Sequence, residues 1–123
     1  MADTIGVFSK KVSLSIDTLR YYEKEGLIIP KRNAINRRVY DENDVAWIEF
    51  IKRLKQIGMP IKKIQEYAAL RYQGDKTVAD RLELLNDQYE LLMRRREELD
   101  QNMDFLMGKM TIYKKMLEPE NKR

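Results

Sequence analysis

Cysteine and histidine are both absent from this 123-residue chain. Disulfides, thiolate or imidazole metal ligands, and catalysis by a Cys or His side chain are therefore excluded. A site built from carboxylates alone stays open, but nothing in the sequence suggests one, and no metal or other cofactor is expected. Long apolar runs are also lacking. No stretch approaches the ~20 residues needed to cross a bilayer, so no membrane partner is expected. The start, Met1-Ala2-Asp3-Thr4, has no basic segment followed by an apolar one. With no export signal read there, the expected location is the cytoplasm. There is no Gly-rich phosphate loop and no nucleophile paired with a base, so an enzyme is not expected.

Charge is abundant, at 36% of residues, and 43% are hydrophobic, enough to bury a core. The net charge of +4 is unevenly spread. Residues 1–76 hold 15 Lys/Arg and 10 Asp/Glu, whereas residues 77–123 hold 9 and 10. A basic first part suggests an anionic partner, with double-stranded DNA the leading candidate.

Thr4 is a good cap for a first helix that sets Ile5, Phe8 and Val12 on one face. After a break at Ser13-Leu14, Ser15 caps a second helix with Ile16, Leu19 and Tyr22 inward, and Gly26 ends it. Two short helices across a tight turn form a helix-turn-helix. Pro30 forbids a helix in the next stretch, Lys31 to Asn36 is turn-like, and residues 37–40 return as a strand, giving a small β-wing. Asn36 suits a position needing positive φ. Asp41, with Asp44 three residues on, caps a third helix carrying Val45, Trp47, Ile48, Phe50, Ile51, Leu54 and Ile57. Gly58 and Pro60 stop it. A fourth helix over about 61–72 is expected to turn Ile61, Ile64, Ala68 and Tyr72 inward, until Gly74-Asp75 breaks it.

Thr77 is read as the cap of a last helix, with Asp80 at its third position. Val78, Leu82, Leu85, Tyr89, Leu92, Arg96, Leu99, Met103, Leu106, Met110, Tyr113 and Leu117 then recur at alternating steps of four and three. This is a heptad stripe of more than five repeats, broken only by Arg96. The first 76 residues cannot cover a helix of roughly 60 Å along its length. A second copy of the chain is the simplest partner, paired through Leu82, Leu85, Tyr89, Leu92, Arg96, Leu99, Met103, Leu106 and Met110. The expected organisation is thus a DNA-binding head over 1–76, a coiled-coil helix over 77–118 and a disordered tail over 119–123. The fold is mainly α with a small β-wing.

If 16–25 is a recognition helix, Ser15, Asp17, Thr18 and Arg20 are the side chains placed to reach bases or phosphates. Tyr21 and Tyr22 point about 100° apart, so one can pack inside while the other offers its hydroxyl to a phosphate, and core packing of the pair is the alternative reading. Arg37 and Arg38 flank the wing tip, where cations suit the sugar-phosphate backbone. Lys55, Lys62 and Lys63 bracket the Gly58-Met59-Pro60 turn beside a helix N-terminus that favours anions.

Four stretches carry a family resemblance. They are Thr4-Ile5-Gly6, Ser15-Ile16-Asp17-Thr18-Leu19-Arg20-Tyr21-Tyr22-Glu23-Lys24-Glu25-Gly26-Leu27-Ile28, and Arg38-Val39-Tyr40-Asp41 followed by Ile51-Lys52-Arg53-Leu54-Lys55-Gln56-Ile57-Gly58. Together they resemble the MerR family of bacterial regulators, and 47–77 resembles its aldehyde- and stress-responsive branch. The resemblance implies an antiparallel homodimer that binds a palindromic promoter site and alters transcription by bending and untwisting DNA for RNA polymerase. It points to Arg20, Tyr21, Tyr22 and Arg38 as DNA contacts, and Tyr40 lies in its wing motif. In an antiparallel pair, Arg96 near the stripe's middle approaches its own copy, with Glu97, Glu98 and Asp100 at hand.

Four departures stand out. Ser13 replaces a usual Gly, Asp17 a commonly basic residue, and Asn36-Arg37 a frequent Gly-Tyr. Arg53 stands where the branch carries cysteine, which rules out its thiol switch. No ligand-binding domain is expected after the coiled coil, so an effector would sit near Tyr67, Tyr72 or Tyr89, residues that otherwise serve packing. An effector-independent repressor or architectural protein of the same fold, and a coiled-coil interaction module, are the alternative readings.

Overall fold

The computed structural model describes residues 2–119. Helix α1 spans Ile5–Val12, α2 Ile16–Lys24, α3 Glu42–Gln56, α4 Ile61–Tyr72 and α5 Val78–Met116, with strands β1 (Lys31–Arg32) and β2 (Arg38–Val39) between α2 and α3. Contacts divide the chain into two compact units, one through Leu85 and one from Asn86. Of the tail expected over 119–123, residues 120–123 lie outside the described residues.

The helices start where local chemistry caps them. The Thr4 hydroxyl accepts from the Val7 amide at 3.4 Å and Ser15 Oγ accepts from the Thr18 amide at 3.0 Å. At α3 the caps are reciprocal. Asp41 accepts from the Asp44 amide at 3.1 Å, and Asp44 accepts from the Asp41 amide at 3.0 Å, forming a capping box. Burial holds the Asp44 carboxyl above its ordinary pKa.

The first three helices end alike. The amides of Leu14, Leu27 and Met59 reach back to the carbonyls of Ser9, Tyr22 and Leu54, and those of Ser13, Gly26 and Gly58 to Lys10, Glu23 and Lys55. This double closure requires a left-handed residue, and φ is 55° at Ser13, 78° at Gly26 and 85° at Gly58. Ser13 alone does this with a Cβ. Each closure turns an apolar residue back: Leu27 and Met59 are buried, and Leu14 packs against the core.

That core belongs to the first unit. Phe8, Val12, Leu19, Tyr22, Leu27, Ile28, Tyr40, Trp47, Ile48, Ile51, Leu54, Ile64 and Ala68 are buried within it. Leu84, outside the heptad stripe, is also buried, which explains why the first turns of α5 belong to this unit. The Trp47 indole donates to the Leu27 carbonyl at 2.7 Å.

Two expectations are corrected. Ile61 is exposed, and Tyr67, further along α4, takes an inward place. The Thr77 hydroxyl points back to the Leu70 and Gly74 carbonyls at 2.6 and 2.8 Å and accepts from Arg81 Nε at 3.1 Å. It closes the 3₁₀ turn Asp75–Thr77 onto the end of α4 instead of capping α5.

Candidate nucleic-acid interface

Helix α2 divides cleanly by face. Leu19 and Tyr22 are buried, and Asp17, Arg20, Tyr21 and Lys24 are exposed at i, i+3, i+4 and i+7. The two tyrosines split as their spacing allows: Tyr21 is 50% exposed and Tyr22 3%. Their ring centroids lie 6.4 Å apart at 54°. Arg20 has no carboxylate partner among the described residues, so its guanidinium is free. At the N-terminal end Ser15 Oγ donates to Thr18 Oγ1 at 2.9 Å while it caps the helix, so both hydroxyls are already engaged with each other.

The wing is a two-stranded antiparallel ribbon pairing Lys31 with Val39 and Arg32 with Arg38. Its tip is built on Asn33, whose side-chain oxygen accepts from the amides of Ile35 and Arg37 at 3.1 and 3.0 Å. Asn36 takes the left-handed conformation expected of it, at φ 62°. Arg37 is exposed. Arg38 is held: its Nε donates to Glu23 on α2 at 2.6 Å, and Arg32 reaches the other oxygen of that carboxylate at 3.8 Å. Glu23 thereby ties the wing to α2, and Arg38 serves this junction.

Arg32, Arg37 and Arg38 converge with Thr4, Ile5 and Asn36 on a hollow of about 290 Å³. Arg38 and Arg32 already share the Glu23 carboxylate, so Arg37 is the guanidinium left for an anion here, beside the start of α1, whose first turn holds no acid. Sequence reasoning missed Arg32 and Thr4 here. The cross-strand position of Arg32 opposite Arg38 was the available signal.

Tyr40 is corrected as a surface contact. Its ring is 2% exposed and stacks on Phe8 with centroids 4.2 Å apart and planes within 5°. Burial raises its phenol pKa. Tyr22 is likewise inside, with its hydroxyl accepting from Lys55 Nζ at 3.4 Å. Lys55 therefore lies over the back of α2, 5.3 Å from the Tyr22 centroid, while Lys62 and Lys63 are exposed on the first turn of α4. Arg53 is exposed on α3 and donates to Gln56 at 3.3 Å.

The three tyrosines named for an effector differ in role. Tyr67 is buried among aromatic rings. Tyr72 accepts the Ile29 amide at 3.0 Å. Tyr89 is 61% exposed in the second unit. On α5, Leu82, Tyr89, Leu99, Met103, Leu106 and Met110 are exposed in the single chain, as is Arg96, and Leu85 and Leu92 are half-buried.

Comparison with known proteins agrees with this geometry. The family model described as MerR HTH family regulatory protein matches residues 4–70, and one described as MerR, DNA binding matches 45–108. The transcriptional regulator AdhR of Bacillus subtilis is 43% identical over 90 residues, which cover 72% of this chain and 64% of AdhR. The uncharacterized regulator YyaN of the same organism is 33% identical over 130 residues, covering 95% and 94%. The crystal structure of HiNmlR, a MerR family regulator lacking the sensor domain and bound to promoter DNA, superposes with a TM-score of 0.72. It is 32% identical, and the match covers 94% of this chain and 92% of that one. The chain thus belongs to the MerR family of helix-turn-helix, DNA-binding transcriptional regulators.

Proposed function

We propose that the protein works as a homodimer on a palindromic promoter site and sets transcription by distorting the DNA between its half-sites. Arg20 and Tyr21 enter the major groove from the exposed face of α2, with Asp17 and Thr18 flanking them. Arg37, at the arginine-lined hollow of the wing, holds phosphates, as do Lys62 and Lys63. The observation that carries this reading is the division of α2: its outer face presents an unpaired arginine and an exposed tyrosine beside a basic wing. RNA polymerase, which shares the promoter, is the second macromolecular partner, and the cytoplasm is where both would be met. No catalytic step is proposed. HiNmlR, described as bound to promoter DNA, supports the reading by analogy.

The test is selection from random duplex DNA at ~150 mM salt, where nonspecific phosphate binding is weak. The expected result is one recovered palindrome with half-sites about one helical turn apart. Arg20→Ala is expected to bind that sequence at least tenfold more weakly with an unchanged unfolding temperature, about the loss of one good base contact. Recovery of no preferred sequence, or full affinity in Arg20→Ala, refutes the assignment of α2.

A further inference from the structure

On the first unit, Asn43, Ala46, Trp47, Phe50, Tyr67, Arg71 and Arg81 line an open cleft of about 420 Å³. Its wall is aromatic. Trp47 and Tyr67 stack with centroids 5.9 Å apart, and Phe50 lies 5.5 Å from Tyr67 and 6.1 Å from Trp47. One guanidinium stands over this wall and a second borders the cleft. Arg71 lies 4.4 Å from the Trp47 centroid and 5.0 Å from that of Tyr72. Arg81 is anchored along one edge, through Nε to Thr77 and Nη2 to the Gly74 carbonyl at 3.2 Å.

No carboxylate lines the cleft, and neither arginine has a carboxylate partner among the described residues. In a protein with 20 acidic residues, two arginines converging on one hollow without an answering acid leave a local excess of positive charge. The arrangement combines a stacking surface with two oriented cations and the Asn43 amide. Planar guanidiniums match a carboxylate, and rings match rings. A bare phosphate would leave the aromatic wall unused, and a neutral ring would leave the arginines unanswered.

We infer that this cleft is a binding site for a small planar aromatic carboxylate, stacked on the Phe50 and Tyr67 side and held by Arg71 and Arg81. The site has a route to the rest of the head. Trp47, in its wall, is the residue whose indole holds the Leu27 carbonyl, in the segment that leaves α2 for the wing. An occupant that shifts Trp47 shifts that segment.

Trp47 is the chain's one tryptophan, so its emission reports the cleft directly. The full chain is titrated with benzoate and phenylacetate, with acetate and benzyl alcohol as controls lacking the ring or the charge. The expected result is a saturable emission change with one of the two acids, at concentrations at least tenfold below any response to either control. Arg81→Gln and Arg71→Gln are each expected to weaken that response at least tenfold, with unfolding temperature unchanged for at least one of them. Absence of saturation with both acids overturns the inference, as does an equal response to the controls or unaltered affinity in both variants. Emission that follows protein concentration and ignores the acids also overturns it, because a second copy of the chain then covers the cleft. None of these measurements involves DNA, so the result stands apart from the reading of α2.

Discussion

Ser13 holds φ at 55° with its Cβ in place, at a helix end that α2 and α3 close with glycine. For a side-chain-bearing residue the left-handed region costs roughly 1–2 kcal/mol, part of which glycine gives back as extra freedom in the unfolded chain. The Ser13 side chain makes no hydrogen bond among the described residues that would offset this. Ser13→Gly is therefore expected to stabilise the protein by about 1 kcal/mol, raising the unfolding temperature by several degrees. A thermal melt checks it, and a lower melting temperature would show that the serine is not strained. Residues whose conformation follows from short-range rules are legible in the sequence itself: Asn36 at positive φ, the Tyr21 and Tyr22 split, and the capping carboxylates. Arg38 is not. Its partner Glu23 lies fifteen positions earlier in the chain, and only the folding of the wing back onto α2 brings the two within 2.6 Å. Tyr40 is hidden for a related reason. Phe8 covers it, and no periodicity in the sequence links the two.

At the scale of elements, Asp41 joins two of them. One oxygen caps α3, and the other accepts from Lys31 Nζ on β1 at 2.7 Å. The lysine, and after it the Asp44 amide, hold the Asp41 carboxyl below its ordinary pKa, and the pairing raises that of Lys31. Asp41→Asn keeps a capping oxygen but removes the charge that faces Lys31. A carboxyl with a lowered folded pKa contributes stability that is full above its unfolded value of about 3.9 and fades as pH falls through the folded value. Wild type is thus expected to melt higher than Asp41→Asn by a few degrees at most at pH 6. The difference should vanish as the pH falls below the ordinary carboxylate range. Asp44, raised first by burial, acts with the opposite sign, and because the Asp41 charge adds to that rise, Asp41→Asn relieves part of it and narrows the expected gap. A gap that persists at low pH would mean that cap geometry, not charge, carries the effect. The same scale shows where pattern reading stops. Ile61 fits an apolar helix face by spacing, but it sits on the first turn of α4 and is exposed there, whereas Ile64, Tyr67 and Ala68 are buried. Thr77 has the chemistry of a cap, and only the left-handed turn at Gly74 directs its hydroxyl back to α4.

For the whole molecule the open question is what covers the stripe on α5. Its twelve positions are symmetric about their centre: in an antiparallel pair aligned on that centre, Val78 meets Leu117, Leu82 meets Tyr113, and Leu85 meets Met110. Tyr89 then meets Leu106, Leu92 meets Met103, and Arg96 meets Leu99. The two copies of Arg96 then occupy neighbouring layers, each against a leucine, and need not face one another. Leu106 and Leu99 are 58% and 57% exposed in the single chain, so replacing either leaves the core of the first unit untouched. Leu106→Asp puts a carboxylate against Tyr89 of the second copy and is expected to convert dimer to monomer. Specific DNA affinity should fall at least tenfold with it, because two linked half-site contacts become one. Leu99→Asp separates the two orientations. In a parallel pair the introduced carboxylate would meet its own copy, and like charges would break the dimer as Leu106→Asp does. In the antiparallel pair it meets Arg96, and an answered arginine keeps the dimer together. Sedimentation of both variants is expected to give a monomer for Leu106→Asp and a dimer for Leu99→Asp. Monomers from both would point to parallel helices, and dimers from both would mean that the stripe is not the seam.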